Sequence, residues 1–527
     1  MENERSIEYY DSRVRDVKLE DITSCEFNAR AFRKLRDNDP KYTSISFTND
    51  DNADIYDVLI EDNDDMGWLG YLIGRNSHLK DLYIWPWLED IDDSRIDALF
   101  QGINLNRSIS RLHIYPGWGG FFLQRLSNFF RSNKNLTQIG LLTSDIGLET
   151  ARQLAVDLRD MSLESFLIER LCYDDDSDSF IDDGAVTAEV IAALSAHNNI
   201  KCLDLRTCNL DRSACLVLGK LRSLKELTII DSNVDAEGMK ALAGVFCCLE
   251  CLELSHMDID IVQEVVAVSS GLLSLKKLSL RNSISEDGLH RLVAAMTNNT
   301  ALEVLDLSQN TSITAKGLSS LSSLLQSEKC CLRELVLHNM HIGDDGAVAL
   351  AEALVGNKSL KCLTFYESST PSGHVKATGM TTAGWSAFTR LLCDKSSINN
   401  TYLSNHTLER CNTAYDDRMT SSDFGYYLSV NKKQQYAAMY KILENHSDFD
   451  MKPLFQWQLK FLPLMVAWFK TARARCPYWR ESVDGFQRRE FSAILQFVRG
   501  LPLLTVAGWR IQKRTGTDSK RRKLDHL

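Results

Sequence analysis

The sequence predicts an α/β solenoid, with parallel strands on a concave face, helices on a convex face and a helical region after the array. Three observations lead there. From Ile200 to Phe365 the pattern L-x-x-L-x-L recurs seven times, with starts at Ile200, Leu224, Leu249, Leu275, Leu302, Leu332 and Leu360. Those starts lie 24, 25, 26, 27, 30 and 28 residues apart, a period suited to one strand and one helix stacked as a repeat. After each strand comes a polar turn and then apolar residues at helical spacing, as in Ile342 to Leu354.

Within each unit the last two apolar residues stand two apart and share one face of a short strand, while the residues between them point the other way. One face is core and the other is open. Relaxed versions of the pattern extend the array toward the N-terminus at Val14–Leu19, Tyr42–Phe47, Leu79–Ile84, Ile109–Ile114, Leu136–Leu141 and Leu163–Ile168, and Ile398–Leu403 reads as a degraded last unit. The count is about fourteen units over residues 14–410, after an N-terminal segment at 1–13, with atypical units at both ends. Gly238, Gly288, Gly317 and Gly346 occupy one place early in the helices. Glu237, Glu286, Asp287, Asp344 and Asp345 beside them fall where a helix N-terminus favours negative charge.

Beyond 410 the period stops. Residues 411–424 read as a polar connector and 425–511 as a helical cap or appendage, with helical patterns at Tyr427–His446, Leu454–Ala474 and Phe486–Leu501 broken by prolines. The final stretch, 512–527, reads as a disordered basic tail. Residues 470–527 hold 14 Lys or Arg against 5 Asp or Glu, in a chain whose net charge is −11. Lys520, Arg521, Arg522 and Lys523 fit a nuclear-localisation cluster. Acidic stretches at 49–65 and 174–183 read as hydrated loops. The second fails as a calcium loop, with Ser179 at the turn-glycine place and Ala185 at the bidentate-glutamate place.

This grammar resembles the ribonuclease-inhibitor-like class of leucine-rich repeats, which includes ribonuclease inhibitor, the Ran GTPase-activating proteins and the sensor arrays of NOD-like receptors. The resemblance covers about three quarters of the chain. It implies a leucine-rich repeat solenoid, or horseshoe, and says little about function. The chain departs from it three residues after the last strand leucine. Asn or Cys is usual there, and this chain has Cys208 and Asn310 but also Ser144, Ser232, Met257 and Met340.

Repeat register places Tyr83, Trp85, His113 and Tyr115 on the concave face of the early units, with Trp87 and Trp118 in the turns that follow. Asp204, Arg206, Glu253, Lys276, Arg281, Asp306, Arg333 and His338 lie on the middle ones, and Tyr366 and Tyr402 near the end. Interfaces favour aromatic anchors of this kind. The structural alternative is that these aromatics pack over irregular first repeats.

No phosphate-binding loop, H-E-x-x-H or G-x-S-x-G motif occurs, the 11 histidines are scattered, and no catalytic residue, cofactor or metal ligand set is indicated. The 14 cysteines, without a secretory signal, read as reduced thiols. The expected protein is therefore a monomeric, non-catalytic scaffold or sensor in cytosol or nucleus that binds a protein partner, neither nucleic acid nor membrane. The resemblance also implies an alternative, a Ran-type activator of a small GTPase. Against it, the residues after the repeats are basic where those activators are acidic, and no arginine is singled out.

Overall fold

The computed structural model describes residues 7–48, 57–59, 66–85, 93–115, 119–142, 146–159, 161–169, 184–195, 199–258, 272, 274–365, 379–412, 422–433 and 437–446. It divides into two compact units, 1–310 and 311–527. Among the described residues no helix is long and apolar enough to cross a membrane.

The first unit carries a parallel sheet. Its strands are β1 (Ser44–Thr48), β2 (Val58–Leu59), β3 (Asp81–Ile84), β4 (Arg111–Ile114), β5 (Gln138–Leu142), β6 (Ser165–Glu169) and β7 (Cys202–Arg206), followed by β9 (Glu226–Ile230), β11 (Cys251–Ser255), β12 (Lys277–Ser279) and β13 (Val304–Asp306). They follow one another in chain order except that β2 lies outside β1. Two short strands, β8 (Asn209–Leu210) and β10 (Asn233–Val234), pair beside them. In the second unit β14 (Glu334–Val336), β15 (Cys362–Thr364) and β16 (Arg410–Asn412) pair in parallel in that order. Alternation sorts the strand residues: Leu82, Ile84, Leu112, Ile114, Leu203, Leu205, Leu252 and Leu254 are buried, while their neighbours face away from the core.

Eleven-residue helices follow many strands, among them Leu148–Leu158, Gly184–Leu194, Ala236–Phe246, Glu286–Met296 and Gly343–Ala353. Their starts are set by caps. Asp235 accepts from the Gly238 N–H and Ser285 from the Gly288 N–H, and the acidic residues at 237, 286, 287, 344 and 345 do lie in first turns. Asp344 also reaches the next unit, accepting from Thr381 N–H (2.8 Å), Thr381 Oγ1 (2.6 Å) and Gly384 N–H (2.9 Å), which holds its carboxyl below the usual range.

Two hydrogen-bond ladders tie unit to unit. Asn76, Asn106, Asn299, Asn357 and Asn405 each stand three residues before the first strand leucine and are buried. Asn106 is representative: its carbonyl oxygen accepts from Ser108 and Ile109 N–H, and its amide donates to Ile73 and Asn76 carbonyls in the preceding unit. The other ladder runs through the turns after the strands. Asn310 accepts from Ser283 and Ile284 N–H, Ser283 Oγ from Met257 N–H, and Ser232 Oγ from Cys208 N–H. Serine thus does part of the expected Asn's work, taking one donor where Asn takes two. The residue just before each of these turn positions, Thr207, Asp231, His256, Asn282, Gln309 and Asn339, has positive φ between 48° and 65°.

Three sequence expectations are corrected. Val14–Leu19 is not a strand: Ile7–Arg13 is a helix, Leu19–Asp21 a single 3-10 turn, and the edge beyond β1 is taken by β2. Val14, Val17 and Leu19 are only half-buried, so no core face calls for a strand there. The N-terminal helix instead docks through Asp11, which accepts from Tyr71 Oη (2.6 Å) and Arg75 (2.7 Å). Ile398–Leu403 is also a helix, capped by Ser397 Oγ on Asn400 N–H. The last strand is β16, aligned by Asn405 and buried Leu408, and residues 411 and 412, assigned to a connector, belong to it. Tyr402 accordingly sits on that helix and not on the sheet.

After β16 come helices Ser422–Lys433 and Ala437–Asn445. Asn431 donates to the Asn405 (3.3 Å) and Leu408 (2.7 Å) carbonyls, and buried Lys441 Nζ donates to the Leu392 (2.6 Å) and Asn405 (3.1 Å) carbonyls. These two side chains close the asparagine ladder. The acidic stretch 174–183, Trp87, Trp118, Tyr366, the patterns at 454–474 and 486–501, and Lys520–Lys523 lie outside the described residues.

Candidate partner-binding face

Strand pairing converts repeat register into columns across the open face. One column reads Ser46, Tyr83, His113, Gly140, Leu167, Asp204, Thr228, Glu253, Ser279, Asp306, each aligned with the next. The column two residues further along includes Leu142, Glu169, Arg206, Ile230 and Ser255, with Trp85 and Tyr115 at its start and Arg281 toward its end. Every predicted residue of the first unit falls in one of these two columns except Lys276, which lies three residues before Ser279 at the strand's entry. In the second unit Arg333 precedes β14 and His338 follows it.

The early strands carry a rack of rings. Tyr83 stacks on His113 with centroids 5.0 Å apart and planes 11° apart, and Trp85 stacks on Tyr115 at 3.4 Å and 10°. Tyr83 and Tyr115 are tilted neighbours at 6.5 Å. Burial pushes the His113 imidazole below its ordinary pKa, which favours the neutral ring. At the foot of the rack Asp81, itself buried, takes a two-pronged hydrogen bond from Arg111, one prong at 2.7 Å. This pair and Gly140 were not foreseen, although Asp81 and Arg111 share the third place of adjacent units.

Further along the sheet the face becomes charged. Arg206 donates to both oxygens of Asp204 on its own strand, at 2.9 and 2.7 Å. Glu253 accepts from Ser255 Oγ at 3.0 Å, and Asp306 accepts from the Ser308 N–H at 2.9 Å. Arg281 Nε stands 4.0 Å from Asp306. At the entry side of the strands a lateral row of opposite charges alternates, with Lys201–Glu164 at 3.0 Å and Lys276–Glu250 at 2.7 Å. Exposed pairs of this kind contribute little to stability. Cys202 and Cys251 flank Glu226 in register on the open face. Burial and that carboxylate push the Cys202 thiol up to about 11.

One strand per repeat in a parallel sheet, a helix returning over the core, and Asn rungs between repeats make up the fold of a leucine-rich repeat solenoid. A family profile described as "Leucine Rich repeat" matches residues 298–322 and 328–351. Among curated proteins, the chain is 26% identical over 278 residues to "NACHT, LRR and PYD domains-containing protein 5" of Mus musculus, covering 49% of this chain and 22% of that protein. It is 27% identical over 265 residues to "Ribonuclease inhibitor" of Sus scrofa, covering 44% of this chain and 57% of the inhibitor. The matched stretch thus spans less than two thirds of either relative. Among solved structures, an internalin (inlF) from Listeria monocytogenes aligns over 69% of this chain and 89% of its own, at 14% identity and a TM-score of 0.33.

Proposed function

We propose that this chain is a non-catalytic interaction scaffold that holds a protein partner against the open face of its sheet. The rack of Tyr83, Trp85, His113 and Tyr115 is the anchor, and the charged strands carrying Asp204, Arg206, Glu253, Arg281 and Asp306 read the partner's polar surface. Arg333, His338 and Tyr366 extend the same reading toward the C-terminus. The observation that carries it is the change of chemistry along registered columns, from rings on β3 and β4 to charges on β7 through β13. Side chains on the open face do not build the core, so most of their identities are free to follow a partner. Tyr and Trp bury large area at small entropic cost, which makes them effective anchors. A monomer in cytosol or nucleus, with Lys520–Lys523 as import signal, accords with this role.

The test is affinity capture from lysate with wild type beside Tyr83→Ala, Trp85→Ala, Tyr115→Ala, with GTP hydrolysis measured on any GTPase recovered. A partner retained by wild type and lost by the variant, at equal thermal stability of the two, supports the scaffold. Retention by both moves the binding surface away from the rack. Accelerated hydrolysis would replace the scaffold by an activator.

A further inference from the structure

Two arginines occupy equivalent places on the open face and are held differently. On β7, Arg206 follows Asp204 by two residues and is clamped by both of that carboxylate's oxygens. Just past β12, Arg281 follows Ser279 by two residues, and the clamp is missing: among the described residues, Ser279 Oγ and Arg281 Nε are both buried without a hydrogen-bond partner. The nearest acid, Asp306, is 4.0 Å from Nε and has its other oxygen engaged by Ser308. Glu253 on the opposite flank is engaged by Ser255. A buried guanidinium nitrogen without an acceptor is costly, and an arriving carboxylate would relieve that cost. Lys277, two residues before Ser279 on the same face, is exposed and makes no ion pair among the described residues. β12 and the turn after it therefore present Lys277 and Arg281 as a two-cation strip between Glu253 and Asp306, each of which already has one oxygen engaged by a serine.

We infer that Arg281, with Lys277, is the receptor for an aspartate or glutamate carboxylate of the protein partner, which takes the place that Asp204 occupies beside Arg206. The inference rests on the open-face reading above and adds the partner's chemistry at one point. The charge complementarity is local and specific: a fork with an unused donor, a second cation, and no acid of its own strand to close it.

The experiment uses a library of synthetic twelve-residue peptides in which one Asp is walked along Tyr- and Leu-containing sequences, with Asn in its place as control, bound to the full chain. The variants are Ser279→Asp, which installs the internal clamp; Arg281→Gln, at a half-exposed side chain; and the Tyr83, Trp85, Tyr115 triple alanine. Asp peptides should bind the wild type at least about tenfold more tightly than their Asn controls, the size of one charge-assisted pair. Both Ser279→Asp and Arg281→Gln should erase that preference, and Arg281→Gln keeps the test valid if Ser279→Asp fails to fold. Peptides that require the rack but show no Asp preference, or keep it in Arg281→Gln, overturn the carboxylate receptor and leave the scaffold standing. Peptides that bind all variants alike, or none at all, overturn both.

Discussion

His113 on β4 lies over Gly140 on β5, and a Cβ added at position 140 would sit 2.5 Å from His113 Nδ1. The glycine is required by its neighbour's ring, which needs the space above it to stay parallel to Tyr83.

Gly140→Ala should therefore push His113 off Tyr83 and lower stability by about 1–3 kcal/mol, the usual cost of overpacking. His113→Ala in the same chain should recover much of the loss, since the collision is between those two residues. Denaturant melts of the four chains of this cycle give the coupling directly. Additive losses would mean that the ring has another way to turn.

Lys441 gives a pH signature. Burial depresses its ammonium from the ordinary 10.5 to about 7, so between those values the unfolded chain holds a proton that the folded chain has released. Stability from this residue accordingly rises as pH climbs from about 7 toward 10.5 and is lost as pH falls back through that window. Lys441→Met should lack the rise. The difference between the wild-type and variant melts, followed from pH 7 to 10, isolates it from other titrating groups, and a flat difference would contradict the buried-cation account.

Removing one rung of the asparagine ladder should cost more than its size suggests. Asn299→Ala strips the Leu272 carbonyl of its side-chain donor and leaves Ala301 and Leu302 N–H without their acceptor, around a buried side chain. A loss of roughly 2–4 kcal/mol is expected, as for more than one orphaned buried polar group. Chemical denaturation measures it, and Asn135→Ala, at a more exposed position, is the control.

Thiol reactivity should follow burial. Cys247 and Cys331 are exposed, whereas Cys215 is buried and its thiol is pushed up to about 12. A thiol reagent applied to native protein should label the first two and spare Cys215 until unfolding, as read by peptide mass spectrometry. Early labelling of Cys215 would show that its repeat opens.

The strands of the long sheet from β3 to β15 were legible because apolar residues at the first, fourth and sixth places of each unit have no other reason to recur at that period. The asparagine rungs are equally periodic but lie three residues ahead of the first apolar residue of the L-x-x-L-x-L pattern, outside it. Ile398–Leu403 misled because Ile-x-x-Thr-x-Leu suits a capped helical turn as well as a strand, and Ser397 decides in favour of the helix. At the candidate site, positions followed from register, but relationships did not. That Gly140 makes room for His113, or that Arg206 is clamped and Arg281 is not, depends on side-chain directions that spacing leaves open. Asp81 with Arg111 shows the same limit, since both residues were visible and their pairing across strands was not.

A ladder in which each rung borrows its donors from the next has no intrinsic last step. Asn431 and Lys441 provide one, satisfying the Leu392, Asn405 and Leu408 carbonyls from helices that are not repeats. The length of the array is thus a decision made by its terminator, much as a stopper sets the length of a growing polymer. Cut away at residue 421, the chain would present a bare row of acceptors beside β16, the chemical description of a filament end ready to accept another copy.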